Sequence, residues 1–129
     1  MRDFRTLLKR IELENKSDEE SEAFIDIFNK YRSFEHIKVD RYILSVQGNE
    51  GTYSKPRLTL DAFAYTQFEI AVLNHNDLMD IRHHMHFKDL KICKYHDGFI
   101  AGYVPIKVIQ ELFERLLKLD RKSKIKRIL

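Results

Sequence analysis

The feature that most constrains this chain is a loop and strand near its middle. A Tyr-Ser-Lys-Pro-Arg segment at residues 53–57 precedes an apolar run that ends in Phe-Glu-Ile-Ala-Val-Leu at residues 68–73. Pro56 fixes its own φ at about −65° and disfavours a helical Lys55, so this loop has few conformations to lose on folding. Apolar and β-branched residues then favour a strand over residues 65–73. We therefore expect an ordered loop that leads into a central strand.

Two amphipathic helices are predicted before this strand. Phe4, Leu7, Leu8 and Ile11 recur with helical spacing, which predicts a helix over residues 2–14. Ser17 and Glu20 fit a capping box, and the apolar positions that follow repeat the same spacing, namely Phe24, Ile27, Phe28 and Tyr31. The short link between the two helices favours an antiparallel helical hairpin over residues 1–34.

The middle of the chain is predicted to form about four to five short strands. Alternating residues indicate a strand over 37–46, and the Asn-His-Asn-Asp turn at 74–77 leads into a short segment at 78–81. Asp97-Gly98 between two apolar runs predicts a hairpin of strands at 90–95 and 99–104. Residues 82–89 have no clear period and are assigned to a loop or an edge. Short connections favour a mostly antiparallel sheet.

A last helix is predicted after Pro105. The helical spacing is that of Ile109, Leu112, Phe113 and Leu116, and the helix continues into a basic tail. The order of elements is therefore typical of an α+β fold. With 129 residues, the chain has the size of a single domain. We divide it into a helical hairpin at 1–34, an antiparallel sheet at 35–104, and the C-terminal helix with its tail at 105–129.

Composition and motifs limit the cellular compartment and the enzyme classes that we expect for this chain. The chain has one cysteine, Cys93, so no disulfide can form within it, and no window reaches the roughly 18 apolar residues of a membrane span. We expect a cytoplasmic protein without membrane association. The usual phosphate-loop, zinc-protease and serine-hydrolase motifs are absent from the sequence. We therefore expect no enzyme and no cofactor.

A histidine-rich stretch offers the alternative of a metal site. Two imidazoles spaced like His84 and His86 face the same way on a strand, with His75 and His83 nearby. Nothing in the sequence fixes the third protein ligand that a zinc enzyme needs, so exposed histidines are the preferred interpretation and a small metal-dependent hydrolase is the third hypothesis. Cys93 beside His96 has no supporting catalytic motif, and we interpret it as structural.

Positive charge is concentrated at the C-terminus. The net charge of the chain is +3, whereas residues 118–127 hold six basic residues and one acidic residue. A solvated tail is the simpler interpretation, and contact with an anionic partner is the alternative. A nucleic-acid-binding regulator would use this tail together with the loop residues Lys55 and Arg57, and its tail contacts would be Arg121, Lys122, Lys124, Lys126 and Arg127.

Three segments carry a resemblance to a known group of proteins. They are Tyr-Ser-Lys-Pro-Arg at 53–57, Phe-Glu-Ile-Ala at 68–71, and Gly-Tyr-Val-Pro-Ile-Lys-Val-Ile at 102–109. Between residues 42 and 116 the chain resembles a group of small proteins encoded by bacteriophages and mobile elements. That group shares a Tyr-(Cys or Ser)-x-Pro-Arg turn and a Tyr-Val-Pro start of the final helix. The resemblance implies a phage or mobile-element origin, a setting in which small proteins often block a host defence enzyme.

The leading hypothesis is an inhibitor that binds a host protein. Acidic residues near the start of the second helix stabilise its dipole, and they also imitate a row of phosphates. Opposed charge patches and aromatic residues suit a host defence nuclease, or its complex with nucleic acid, as the partner of an anti-CRISPR-like protein. The partner-binding residues would be Asp18, Glu19, Glu22, Asp26, Tyr53, Lys55 and Arg57. Arg57 has a competing structural role, pairing with Glu69 or Asp61. Both a monomer and a homodimer remain open.

Overall fold

The computed structural model describes residues 2–12 and 22–128, with side chains as far as Ile125. Two α-helices and five strands make up the regular structure of these residues. They are α1 (Glu22–Lys30), β1 (Ile37–Val39), β2 (Tyr42–Gln47), β3 (Gln67–Asn74), β4 (Asp77–Leu78), β5 (Ala101–Pro105) and α2 (Ile106–Ile128). Short 3₁₀ helices lie at Phe4–Leu7, Ala62–Ala64, Ile81–His83 and Lys91–Tyr95. The fold is α+β, as the sequence predicts.

The five strands form one antiparallel sheet with β3 at its centre. β2 pairs with β3 along its whole length and with β1 on its other side. The opposite edge of β3 pairs with β5 near its start and with β4 near its end. Alternation along β3 buries Phe68, Ile70 and Val72 on one face. The central strand predicted at residues 65–73 is therefore confirmed, with bounds shifted by one or two residues.

The buried face of the sheet packs against α2. The predicted apolar positions of α2, which are Ile109, Leu112, Phe113 and Leu116, are all buried. They share one core cluster with the buried residues of β2, β3 and β5 and with Phe4, Phe34 and Phe87. Full burial of one such side chain contributes about 1.5–3 kcal/mol to folding. This core fixes the sheet and α2 as the scaffold for the loops described below.

The first predicted helix is wrong over the described residues. Only Phe4–Leu7 is helical, as a 3₁₀ turn, and the chain then runs extended beside residues 33–35. The N–H of Ile11 donates to the Ser33 carbonyl at 2.9 Å, and the N–H of Glu35 donates to the Lys9 carbonyl at 2.7 Å. Backbone pairing with a distant segment has replaced the helix that the local apolar spacing favours. The described residues form no N-terminal helical hairpin.

The second predicted helix corresponds to α1. Its capping box at Ser17 and Glu20 lies outside the described residues, and the described helix begins at Glu22. No residue of α1 is buried, and the apolar side chains of Ile27 and Tyr31 are exposed. α1 therefore contributes no buried side chain to the core.

Two of the predicted strands also differ. The strand predicted over residues 37–46 is divided by a turn at Asp40, whose φ of 57° is left-handed, into β1 and β2. Residues 91–95 form a 3₁₀ helix instead of a strand. That helix buries Ile92 in the same core cluster as Phe87 and Leu90. A short apolar run in a sequence is compatible with either a buried strand or a buried helical turn, so the pattern alone did not predict the helix. The predicted Asp97-Gly98 turn is present, with φ of 110° at Gly98, and it leads into β5.

Among the described residues, no helix has both the length and the apolar character that crossing a membrane requires.

Candidate functional site

Two exposed tyrosines and an arginine form a cluster at one edge of the sheet. The ring centroids of Tyr53 and Tyr103 are 5.8 Å apart, with the ring planes inclined at 43°. Arg57 places its Cζ atom 5.8 Å from the centroid of the Tyr53 ring. The side chains remain open to solvent, with Tyr53 48% and Tyr103 45% exposed. We call Tyr53, Arg57 and Tyr103 the tyrosine–arginine surface.

A β-bulge directs Tyr103 toward this surface. Phe68 pairs with Val104 and Ile70 pairs with Ala101, so Gly102 and Tyr103 together lie opposite a single residue of β3. Tyr103 has a φ of 51°, a left-handed conformation that costs a non-glycine residue about 1–2 kcal/mol. Its N–H donates to the carbonyl of Tyr53 at 2.8 Å instead of to β3. Such conformations concentrate at functional sites, where the surrounding structure holds them.

The loop that carries Tyr53 and Arg57 is fixed to the start of β3. The N–H of Lys55 donates to the Gln67 carbonyl at 3.0 Å, and the N–H of Thr66 donates to the Lys55 carbonyl at 2.8 Å. The peptide bond between Lys55 and Pro56 is cis. Ser54 is buried, whereas the side chains of Lys55 and Arg57 are exposed. The hydrogen bonds to Thr66 and Gln67 thus hold the backbone of the loop, while both cationic side chains face solvent.

Gly102 allows the loop and the bulge to approach closely. A Cβ atom at position 102 would lie 3.0 Å from the Cβ of Tyr53, which is tighter than an ordinary van der Waals contact. A side chain there would push the neighbouring loop away by a few tenths of an ångström. Glycine at position 102 thus favours close packing between the loop and β5.

The ion pairs predicted for Arg57 are not formed within the described part of the chain. Arg57 lies over the Tyr53 ring, and the carboxylate of Glu69 instead accepts from the N–H of Tyr53 at 3.4 Å. Glu69 therefore helps to hold the loop, as the sequence suggests, but it does so through the backbone. The Arg57 guanidinium stays available to a partner.

The predicted acidic residues are only partly described. Asp18 and Glu19 lie outside the described residues, and Glu22 and Asp26 are exposed on α1. The last residue of α1, Lys30, accepts hydrogen bonds at its carbonyl from the N–H of Glu50 and the hydroxyl of Thr59. These hydrogen bonds thus join the end of α1 to the segments on either side of the loop at residues 53–57.

The predicted basic residues lie along the end of α2. Arg121, Lys122 and Lys124 are exposed, while the side chains of Lys126 and Arg127 are outside the description. Lys124 forms an ion pair with Asp120, with 2.9 Å between Nζ and Oδ2. The positive charge of this segment is therefore partly compensated within the helix.

The histidine-rich stretch forms a small ring cluster. The His84 and His86 rings have centroids 5.4 Å apart, and His84 also packs against Phe87 at 5.1 Å. Burial lowers the pKa of His84, and the nearby charges of His86 and Arg41 lower it further. Within the described ranges, no three His, Cys, Asp or Glu side chains are grouped as metal ligands.

Cys93 is held in a structural setting. Its Sγ lies 3.2 Å from the Phe87 carbonyl oxygen, and it sits in the 3₁₀ helix at 91–95 instead of on the predicted strand. Burial raises the pKa of the thiol, which disfavours the thiolate that a nucleophile needs.

Sequence reasoning missed Tyr103 as a surface residue. The available signal was Gly102, because a glycine within an apolar strand pattern often marks a bulge or a close backbone approach. Sequence reasoning also placed Arg41 within a strand at residues 37–46, whereas it lies in the turn between β1 and β2.

Comparison of the chain with protein-family models, with curated protein sequences and with solved structures finds no match. The functional argument therefore rests on the residues and their geometry.

Proposed function

We propose that this protein acts by binding another protein through the tyrosine–arginine surface. The observation that carries the proposal is the exposed cluster of Tyr53, Tyr103 and Arg57, whose two rings lie next to each other in a tilted arrangement on a hydrogen-bonded backbone. Tyrosine and arginine are enriched among the residues that dominate binding energy at protein interfaces. A loop that is already ordered loses less conformational entropy on binding, so more of the contact energy appears as affinity.

The proposed partner is a host defence nuclease, and the proposed effect is inhibition. Two features support this choice: the resemblance to phage and mobile-element proteins, and the acidic residues of α1. Glu22 and Asp26 are exposed on a helix whose last residue contacts the flanks of the loop. Carboxylates presented in this way attract the basic groove in which a nuclease holds its nucleic acid. The inhibitor would occupy that groove and compete with the nucleic acid.

The test measures nucleic-acid cleavage by purified host defence nucleases with and without this protein. We expect a stoichiometric complex with one of them that persists at moderate salt, together with loss of cleavage. Failure to bind or inhibit any member of a broad panel contradicts the proposal. Tyr103→Ala and Arg57→Ala should each weaken inhibition about tenfold or more, because tyrosine and arginine are enriched among the few interface residues whose truncation costs about 2 kcal/mol or more.

Tyr95→Ala provides the matched control for this test. Tyr95 is an exposed tyrosine in the 3₁₀ helix at residues 91–95 and is not part of the tyrosine–arginine surface. Its truncation removes the same side chain from a different position and should leave inhibition unchanged. Equal losses for Tyr95→Ala and Tyr103→Ala would show that the effect is not specific to the proposed surface.

Direct nucleic-acid binding is the alternative proposal. Arg121 and Lys122 are exposed near the end of α2, and the tyrosine–arginine surface also has the aromatic and cationic groups on which unpaired bases stack. Binding of this kind weakens steeply as salt rises, because phosphate contacts release counterions. A salt titration of single-stranded oligonucleotide binding tests it, and a flat response excludes it.

A further inference from the structure

A concave site lies near the end of β3, whereas the tyrosine–arginine surface lies near its start. It is a pocket of about 500 Å³, and its lining includes Arg41, His75, His86 and Lys122, with Asp40 as the carboxylate. The predicted basic tail and the predicted histidine stretch, which the sequence treats as separate features, meet here. Two permanent cations and two imidazoles therefore face one carboxylate across the same pocket.

Two tight turns build one wall of this pocket. The β1–β2 turn carries Arg41 and the β3–β4 turn carries His75, and both turns use a left-handed residue, Asp40 with φ of 57° and His75 with φ of 56°. The N–H of His75 donates to the Arg41 carbonyl at 2.8 Å, which joins the two turns. The relative positions of Arg41 and His75 are thus set by the backbone.

α2 and the segment that contains His86 build the opposite wall. Lys122 lies on α2 itself. Arg115, also on α2, donates to the carbonyl oxygen of His86 at 2.7 Å and forms a bidentate pair with Asp89. His86 is therefore attached to the same helix that presents Lys122. The lining groups thus come from two pairs of segments, the two turns and the His86 segment with α2, and each pair is joined by a hydrogen bond.

The charges of the pocket are available to a ligand. The Arg41 guanidinium lies 5.2 Å from the Tyr42 ring centroid, and its Nη2 donates to the Tyr42 hydroxyl at 3.2 Å. Among the residues that the structure describes, neither Arg41 nor Lys122 forms an ion pair with a carboxylate. The lowered pKa of His84 has the charge of Arg41 among its causes, in accord with a positive potential in this region. A pocket with excess positive charge favours an anion.

We propose that this pocket binds a phosphate group, with Arg41 and Lys122 as its charged contacts and His75 and His86 as additional donors. The fork of N–H groups on arginine matches phosphate oxygens, and lysine adds a point charge. Two permanent cations with further donors suit a phosphate dianion better than a single carboxylate. The phosphate would be carried by a nucleotide or by the end of a nucleic-acid strand. This site is independent of the tyrosine–arginine surface and of the nuclease-binding proposal.

The experiment titrates the full chain with three probes and follows amide chemical shifts. The probes are inorganic phosphate, adenosine monophosphate, and a short single-stranded oligonucleotide with or without a 5′ phosphate. We expect phosphate and the nucleotide to shift the amides of both turns and of α2 near Lys122. Stronger binding of the nucleotide identifies a nucleotide site, whereas stronger binding of the 5′-phosphorylated strand than of its unphosphorylated form identifies a strand-end site.

Three glutamine variants separate a built site from general positive charge. Arg41→Gln and Lys122→Gln should each weaken phosphate and nucleotide binding about tenfold, because each removes a charged contact. Lys107→Gln removes the same charge from an exposed position on the same helix that lies outside this pocket. It should leave binding unchanged. Circular dichroism checks that each variant is folded. Lys122 is an exposed side chain of α2, so Lys122→Gln still tests the proposal if Arg41→Gln does not fold.

Two results would overturn the proposal. One is the absence of any saturable shift with phosphate, nucleotide or phosphorylated strand. The other is an equal loss of binding in Lys107→Gln and Lys122→Gln, which would mean that anions respond to the charge of α2 as a whole.

Discussion

The N–H of Tyr103 donates to the carbonyl oxygen of Tyr53 at 2.8 Å, and this bond joins two segments that are fifty residues apart in sequence. It is the point at which the bulge of β5 meets the loop at residues 53–57. The two rings lie next to each other because their backbones do, so the surface does not depend on flexible side chains alone. Changes at this contact should therefore alter both stability and binding.

Gly102→Ala tests that contact directly. The added methyl group would lie 3.0 Å from the Tyr53 Cβ, so the loop must move. We expect a loss of about 1–3 kcal/mol in the free energy of unfolding, as for other cases of overpacking, measured by urea titration. In a Tyr53→Gly background, which removes the opposing Cβ, the same substitution should cost much less. Equal costs in the two backgrounds would refute the proposed contact.

Tyr65→Phe should destabilise the protein through its lost hydroxyl. Tyr65 is 3% exposed, and its oxygen accepts from the Arg10 guanidinium and from the N–H of Leu60, both at 2.9 Å. It also lies 2.8 Å from the Gly48 carbonyl oxygen, to which it can donate. Removing it leaves several buried polar groups without a partner, so we expect a loss of about 2–3 kcal/mol.

Tyr42→Phe is the matched control for this prediction. Tyr42 is equally buried, but among the described residues its hydroxyl accepts a single hydrogen bond, from Arg41 at 3.2 Å. We expect a loss of about 1 kcal/mol or less in thermal or urea unfolding. A larger loss for Tyr42→Phe than for Tyr65→Phe would contradict the account of the Tyr65 network.

His96 should make stability depend on pH. Its side chain is 1% exposed, and its Nδ1 accepts from the N–H of Gly98 at 3.0 Å, so the neutral form is preferred. Burial lowers the pKa below its ordinary value of 6.5, and Arg82 acts in the same direction, although Asp80 and Asp97 oppose them. The unfolded chain therefore binds the proton more readily than the folded one. Stability should be full above about pH 6.5 and fall as the pH decreases toward the folded pKa.

Urea titrations at about pH 7.5 and about pH 5.5 measure this effect. His96→Asn keeps a hydrogen-bond acceptor near Gly98 but has no proton to bind, so its stability should change less over this interval. A wild-type protein whose stability is constant between these values, or an unchanged slope in His96→Asn, would show that His96 is not responsible.

Charge reversal near the start of α1 separates the two functional proposals. Replacing Asp18, Glu19 and Glu22 with lysine should change the free energy of unfolding by less than about 1 kcal/mol per residue, because exposed charges contribute little. Association with a basic partner should slow by about tenfold or more, as attraction becomes repulsion. Direct nucleic-acid binding should instead tighten, most clearly at low salt. No change in either measurement would leave the acidic residues without a binding role.

Local patterns predicted the elements whose side chains face one core. The spacing in α2 and the alternation in β3 follow from burial on one face, and the structure has both elements where they are predicted. The Asp97-Gly98 turn was also predictable, because the Asp97 carboxylate accepts from the N–H groups of Phe99 and Ile100. These features depend on neighbours within a few residues.

The predictions that failed concern features that depend on residues distant in the sequence. Residues 2–12 have a helical apolar pattern, but only Phe4–Leu7 forms a 3₁₀ turn, and bonds from Ile11 to Ser33 and from Glu35 to Lys9 hold the residues after it extended. The tyrosine–arginine surface also depends on distant contacts, because the conformation of Tyr103 is set by Tyr53 and by the register of β5 on β3. A single sequence does not reveal such long-range pairings, so it predicted Tyr53 and Arg57 without Tyr103.

The central claim is that the tyrosine–arginine surface binds the protein partner. The most direct measurement is amide hydrogen exchange of this protein, free and bound to the host nuclease that we propose as its partner. We predict slower exchange in the complex at residues 51–57 and 102–104, with exchange along residues 118–125 of α2 unchanged. Protection confined to residues 118–125, with residues 51–57 and 102–104 unaffected, would contradict the account.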